Sequence, residues 1–296
     1  KKKLGRGKQV YLIFLPIFIY FLVFHYFPMY GIMIAFKDFK PLKGIMDSPW
    51  VGFKHFTNFF NSYYFRRILW NTVILNFYNI IFHFPAPIIL ALLLNEVRNR
   101  YFKKIVQTIT YIPHFISMVV IIGIIFDLLS VGGLVNSIIN NFGGESIKFL
   151  TDAKYFRTLY IVSGLWQNLG WGTIVYLAAL SAIDQELYEA AIVDGAGRLK
   201  QAIYITIPCI LPTIITLLIL QVGRIMNVGF EKVLLLQNPL NTETSEVIST
   251  FVYKKGLINA EYSYSTAIGL FNSIINVFFL VTTNKVSKRL SETSLW

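Results

Sequence analysis

A single cysteine, Cys209, stands among the 296 residues, which excludes an internal disulfide and any metal site built from several thiolates. Charge is scarce too: Asp, Glu, Lys and Arg make up 14% of the chain, against about 25% in a soluble domain. There is no phosphate-binding loop of the form G-x-x-x-x-G-K-[ST], because the glycine clusters at Val131 and Phe142 lack the lysine. A chain of this kind that depends on ATP must take its hydrolytic machinery from a partner. Asp38, Asp47, Glu145 and Asp152 are scattered, with no paired spacing. That pattern speaks against the alternative of a multispan membrane enzyme acting on a lipid-linked sugar, so no catalytic or metal-binding residue is assigned. His25 and His83 are lone imidazoles in apolar surroundings and read as core residues.

What is abundant is apolar surface. The sequence is 55% hydrophobic, with 26 phenylalanines, and this excess is gathered into runs long enough to cross a bilayer. Six runs stand out: Val10 to Phe36, Leu69 to Leu94, Ile105 to Leu129, Tyr155 to Ile183, Ile207 to Val228, and Tyr262 to Asn284. The expected fold is therefore an all-α integral membrane protein of six transmembrane helices. The first run is too long for a leader and lacks a small-residue cleavage site, so it reads as a span. No repeat of fixed period appears. The chain divides into a tail at 1–9, one six-span domain at 10–284 and a tail at 285–296.

Net charge is +12, but Lys and Arg lie mainly outside the apolar runs and form no aromatic-interleaved basic face, so nucleic acid is not the expected partner. The charge reads as topology. With the N-terminus in the cytoplasm, the inside segments hold 14 of the 27 Lys and Arg residues in about half the length, which places both termini inside. The first outer connection carries PWVGFKHFTNFF, an amphipathic aromatic segment suited to the bilayer interface.

Between the fourth and fifth runs the sequence turns polar, over 184–205. Ser181 and Asp184 are spaced as a capping pair, and Ile183, Leu187, Ala190 and Ala191 fall on one helical face. Gly195 and Gly197 supply a turn, and a second helix runs from Arg198 toward Pro208 and Pro212. On spacing alone this is equally an ordinary interfacial loop. The pattern Glu189-Ala190-Ala191, three residues, Gly195, nine residues, Ile205, one residue, Ile207-Pro208 resembles the EAA signature of permease subunits in bacterial ATP-binding-cassette (ABC) importers of type I fold. That family usually has Leu where this chain has Ile207. YLIFLPIFIYFLVFHYFPMYGIMIAFKDF, WVGFKHFTNFF and the six-span layout are similar to the carbohydrate-uptake branch, and within it to permeases for polysaccharide and lipo-oligosaccharide uptake.

The resemblance implies that Glu189, Ala190, Ala191 and Gly195, with Asp194, Gly197 and Arg198 beside them, form a coupling helix seated in a cytoplasmic ATPase. It implies two copies of that ATPase, which would bind ATP and Mg, and no cofactor on this chain itself. A second permease, usually a different chain, an extracytoplasmic sugar-binding protein and a bacterial cytoplasmic membrane complete the expected assembly.

Polar groups within spans usually face a bundle interior or a water-filled route. The fourth run has the densest set, and Trp166, Gln167, Asn168 and Trp171 are the candidates for lining a sugar path. Amides serve hydroxyls and an indole face suits a sugar ring. Asn76 with Asn79, Arg224 with Asn227, and Asn272 with Asn276 are further candidates, each pair spaced to face one direction. Helix packing through Gly170 and Gly172, and hydrogen bonds between helices, are the competing accounts.

Overall fold

The computed structural model describes residues 8–291, so the parts of both tails at 1–7 and 292–296 lie outside the described residues. Those described are helical, with two isolated bridges, Lys37 to Trp50 and Lys40 to Gly44, and no strand. They fall into two units: residues up to Phe65 with Val252–Phe271, and Arg66–Phe251 with residues from Asn272 on.

In the smaller unit, α1 (Lys8–Phe21) continues through a π turn (Leu22–Tyr26) into a 3-10 stretch (Phe27–Phe36). Pro28 is the reason: it has no N–H to carry the α-helical ladder forward, and the Phe27 N–H reaches back to Leu22 O instead. The connection after the first run follows, with Gly52 at a φ of 59° leading into α2 (Lys54–Phe60). Its aromatic residues separate by face. Phe56 packs with Ala35 and Ala267, and Phe59 with Phe65 and Phe271, whereas Trp50 and Phe53 remain exposed.

The larger unit begins with α3 (Phe65–Tyr78), a π turn (Asn79–His83) and α4 (Pro85–Glu96). Pro85, which has no N–H to continue the helical ladder, opens α4 after this break. The third apolar run is not one helix. It divides into α5 (Arg100–Tyr111), a 3-10 turn holding Pro113 (Ile112–Phe115) and α6 (Met118–Leu129), because Ser117 caps a new helix by accepting from the Val120 N–H. The chain then passes through α7 (Leu134–Asn141) into α8 (Ala153–Ser181), capped by Asp152. At 29 residues and about 1.5 Å per residue, α8 is longer than the roughly 30 Å thickness of a bilayer core.

Beyond α8 come α9 (Gln185–Val193), α10 (Arg198–Gln201), a π turn (Ala202–Thr206) and α11 (Ile207–Val222). The fifth run was expected to reach Val228, but the helix ends at Val222. Gly223, Arg224 and Asn227 form successive turns instead, with the Asn227 N–H on Arg224 O at 2.8 Å. The short helices α12 (Phe230–Leu236), α13 (Thr242–Ser245) and α14 (Ile248–Tyr253) lead to α15 (Tyr262–Ser291).

Five stretches are long and apolar enough to cross a membrane: Val10–Phe36, Phe65–Glu96, Met118–Asn141, Arg198–Val222 and Tyr262–Arg289. α8 is not among them, because amides, glycines and indoles occupy its middle. It is instead the helix against which the larger unit packs, touching α4, α5, α11, α12 and α13. Phe156, Tyr160 and Ile161 join Leu75, Ile121, Val233 and Val247 in one apolar core, and Tyr176 and Leu180 join Ala91 and Ile210 in another.

Asn71, 2% exposed, holds one end of this unit together. Its amide donates to the carbonyls of Glu243 and Glu246 at 2.8 and 3.1 Å and accepts from Arg157 at 3.0 Å. Each group left buried and unpaired costs about 1–3 kcal/mol. Asn71→Leu is therefore expected to lower the melting temperature of the detergent-purified protein by several degrees, and unchanged melting would count against this role.

Candidate functional site

Two places in the larger unit carry features beyond packing. The first is the polar segment after α8. Asp184 caps α9 by accepting from the Glu186 N–H at 3.0 Å. The expected pairing with Ser181 does not occur, because the Ser181 hydroxyl donates to Leu177 O within α8. α9 ends in a Schellman motif, with the Gly195 N–H on Ile192 O at 3.0 Å and the Ala196 N–H on Ala191 O at 2.8 Å. Gly195 supplies the left-handed residue this turn needs, at a φ of 75°.

No residue of α9 is buried. Glu189, Ala190, Asp194, Gly195, Gly197 and Arg198 are exposed and Ala191 half-buried, and the apolar side chains of Ile192, Val193 and Leu199 are exposed beside them. Two contacts tie the segment to the spans: the Tyr188 hydroxyl lies 2.9 Å from the Thr206 hydroxyl, and Arg198 lies 3.4 Å from Glu96 at the end of α4. The result is an exposed, partly apolar helix and turn with a fixed connection to the fifth run.

The second place is a cavity of about 660 Å³ lined from α3, the following π turn, α4, α6, α8, α11, the turn beyond it and α12. It brings Gln167, Asn168, Trp171, Asn76, Asn79, Arg224 and Asn227 together. Trp166, on the adjacent flank of α8, is exposed and does not line it. Asn272 and Asn276 lie behind Asn227, each donating to its side-chain oxygen, at 2.9 and 3.1 Å. The expectation that Arg224 and Asn227 share a helix face is corrected, since both lie in the turn beyond α11, yet that turn still brings them to the cavity.

Two acceptors on the wall, Asn79 Oδ1 and Gln167 Oε1, are buried without a hydrogen-bond partner. Trp171 is backed by His114, whose ring stacks on it at 4.4 Å and whose Nδ1 is 3.1 Å from Asn168 Oδ1. The glycines of α8 pack as the competing account requires: a Cβ on Gly170 would stand 2.3 Å from Thr110 O, and one on Gly172 would stand 2.8 Å from Pro87.

No sequence pattern singles out Lys232, Tyr160, His83 or His114, which lie at or behind the cavity wall. His83 does accept the role of a satisfied imidazole, with Nε2 2.7 Å from Ile161 O, but it also lines the cavity. Lys232 sits beside Glu231 in FEKVLLL, where neighbouring charges of opposite sign point to no site, and its place shows only in the fold. It is 5% exposed, its ammonium donates to Tyr160 O at 2.6 Å, and it lies 4.6 Å from the Tyr160 ring centroid. Burial pushes its pKa down to about 7.

Residues 83–292 match the family described as binding-protein-dependent transport system inner membrane component. The polygalacturonan/rhamnogalacturonan transport system permease protein YteP of Bacillus subtilis is 48% identical, over 99% of this chain and 92% of its own. A bacterial ABC transporter involved in the import of the acidic polysaccharide alginate contains a chain of similar fold, with a TM-score of 0.92, 42% identity and 98% of each chain covered. A second structure, of the bacterial alginate ABC transporter in complex with alginate pentasaccharide-bound periplasmic protein, matches at a TM-score of 0.92 and 41% identity over 99% of each chain.

Proposed function

We infer the function from family membership: this chain belongs to the binding-protein-dependent transport system inner membrane components and is the permease of a sugar-importing ABC transporter. The finer reading is a subunit that forms half of an oligosaccharide path. It pairs with a second, different permease and receives cargo from an extracytoplasmic binding protein. Two copies of a cytoplasmic ATPase hold ATP and Mg and dock on the segment from Glu189 to Arg198. In this reading α8 completes a set of six spans despite its polar middle, and both termini face the cytoplasm. ATP-driven closure of the ATPases draws the docking segments together and turns the cavity outward.

The observation that carries this reading is the exposed helix and turn at 185–198, tied through Tyr188 and Thr206 to the base of the fifth run. An element with no buried residue contributes little to the stability of its own chain, so its exposed apolar side chains suit a partner. The relatives give no support to an enzyme acting on a lipid-linked sugar.

The test is reconstitution. The chain, a second permease, the ATPase and a binding protein are assembled in proteoliposomes, and oligosaccharide uptake and ATP hydrolysis are followed. Uptake should require ATP and Mg, and loaded binding protein should accelerate hydrolysis. A chain that recovers no ATPase and supports no uptake of any oligosaccharide would overturn the reading.

A further inference from the structure

The charges of the cavity are of one sign. Its lining includes Arg224 and Lys232 and no Asp or Glu. Neither cation forms an ion pair among the described residues. For Arg224, which is exposed, this is unremarkable in energy. For Lys232, which is 5% exposed, it is costly, because a buried ammonium without a counter-charge gives up its hydration for little in return.

The surroundings hold the ammonium without neutralising it. An ammonium has three donors, and this one donates to the carbonyl of Tyr160, with the Tyr160 ring beside it. Gly164 on α8 makes the space: a Cβ there would stand 2.6 Å from Lys232 Nζ and 2.7 Å from the His83 ring. A pure packing role would be served as well by an apolar side chain, which carries no desolvation penalty. Asn79 and Gln167, whose buried side-chain oxygens have no hydrogen-bond partner, also line the cavity; their amides suit sugar hydroxyls, while Trp171 offers a ring face. A volume of about 660 Å³ falls within the range of about 300–1,000 Å³ for small-molecule sites.

We infer that this cavity is a carboxylate-binding station on the translocation path, where Lys232 and Arg224 take the carboxylate of an acidic sugar residue and Gln167 and Asn79 take its hydroxyls. This deepens, and rests on, the reading of the chain as a sugar-importer permease. Neutral oligosaccharides satisfy the amides but leave Lys232 uncompensated, so charge on the cargo is what the station selects. A carboxylate beside Lys232 also restores the charge that burial weakens.

The probes are α-1,4-linked tetragalacturonate and its fully methyl-esterified form, which share a skeleton and differ in charge. Binding of each, fluorescently labelled, is measured by anisotropy on the purified complex of both permeases and the ATPase, without binding protein. Uptake is measured in proteoliposomes of the full complex. Wild type should bind the acid at least ~10-fold tighter than the ester, as expected for a hydrogen bond to a charged group. Lys232→Met and Arg224→Gln should each erase most of that difference by weakening the acid alone, with complex assembly and ester binding unchanged. Arg224 is exposed, so its variant keeps the test decisive if Lys232→Met fails to assemble. Equal binding of acid and ester by wild type, or full discrimination in Arg224→Gln and in any assembled Lys232→Met, overturns the station. In those cases uptake of the ester would leave the importer reading standing, whereas no uptake of any oligosaccharide by wild type removes both.

Discussion

Glu189→Lys and Gly195→Pro will each leave the chain in the membrane at its normal level while abolishing both recovery of the ATPase with it and sugar uptake. The two substitutions act through different physics. Glu189 is exposed on α9 and has no ion-pair partner among the described residues, so reversing its charge changes the surface offered to a partner and little else. Removing one member of a desolvated interfacial charge pair costs about 2–5 kcal/mol, and 2 kcal/mol alone is roughly 30-fold in affinity; reversal adds repulsion. Gly195→Pro acts on shape. Proline holds φ near −65° and has no N–H, whereas position 195 needs a φ of 75° and donates to Ile192 O. The Schellman turn is lost, and with it the angle between α9 and α10. No residue of α9 is buried, so neither change disturbs a core. The measurements are ATPase recovered on the affinity-purified permease and ATP-dependent uptake in proteoliposomes. Wild-type values of both in the two variants would sink the coupling role.

Apolar run length made most of the helices readable, because lipid requires about 20 apolar residues to cross it and few other constraints gather them so densely. Its limits show where the runs fail. From Ile105 to Leu129 the composition stays apolar while the helix breaks at Pro113 and restarts at Ser117; the capping serine was visible, but hydropathy averages over it. The fifth run reads on to Val228 because Val222 to Val228 remains mostly apolar, although Gly223 begins a turn.

The dense polar set on α8 is visible in the sequence, but which of its members line the cavity is decided by the helix. Gln167, Asn168 and Trp171 share one side of α8, and neighbouring Trp166 falls off it because successive helical residues are rotated by about 100°. What spacing could not supply was the approach of distant elements. Lys232 meets Gly164 only because α12 folds back on α8, and no local pattern in FEKVLLL encodes that.

Gly170→Leu is expected to unfold the cavity wall, whereas Gly123→Leu is expected to be tolerated. Both are helical glycines in the larger unit, and a propensity argument alone predicts the same small gain at each. The space around them differs. Nothing lies within 4 Å of a Cβ at Gly123, whereas a Cβ at Gly170 would stand 2.3 Å from Thr110 O and 2.4 Å from its carbon. Those are backbone atoms near the end of α5 and cannot rotate away, so α5 must separate from α8. Overpacking of this kind costs about 1–3 kcal/mol and sometimes more. For a chain of this size each kcal/mol lowers the melting temperature by roughly 2–4 °C, and Gly170→Leu should therefore melt several degrees or more below wild type. Function should fail sooner than the fold. His114, three residues beyond α5, stacks on Trp171 at 4.4 Å and holds Asn168 at 3.1 Å, so moving α5 shifts the ring face and an amide of the cavity together. Uptake in proteoliposomes should be lost in Gly170→Leu even at temperatures where the complex remains assembled, and retained in Gly123→Leu. Equal melting and equal uptake in the two variants would show that the close approach of Thr110 to Gly170 does not position this wall.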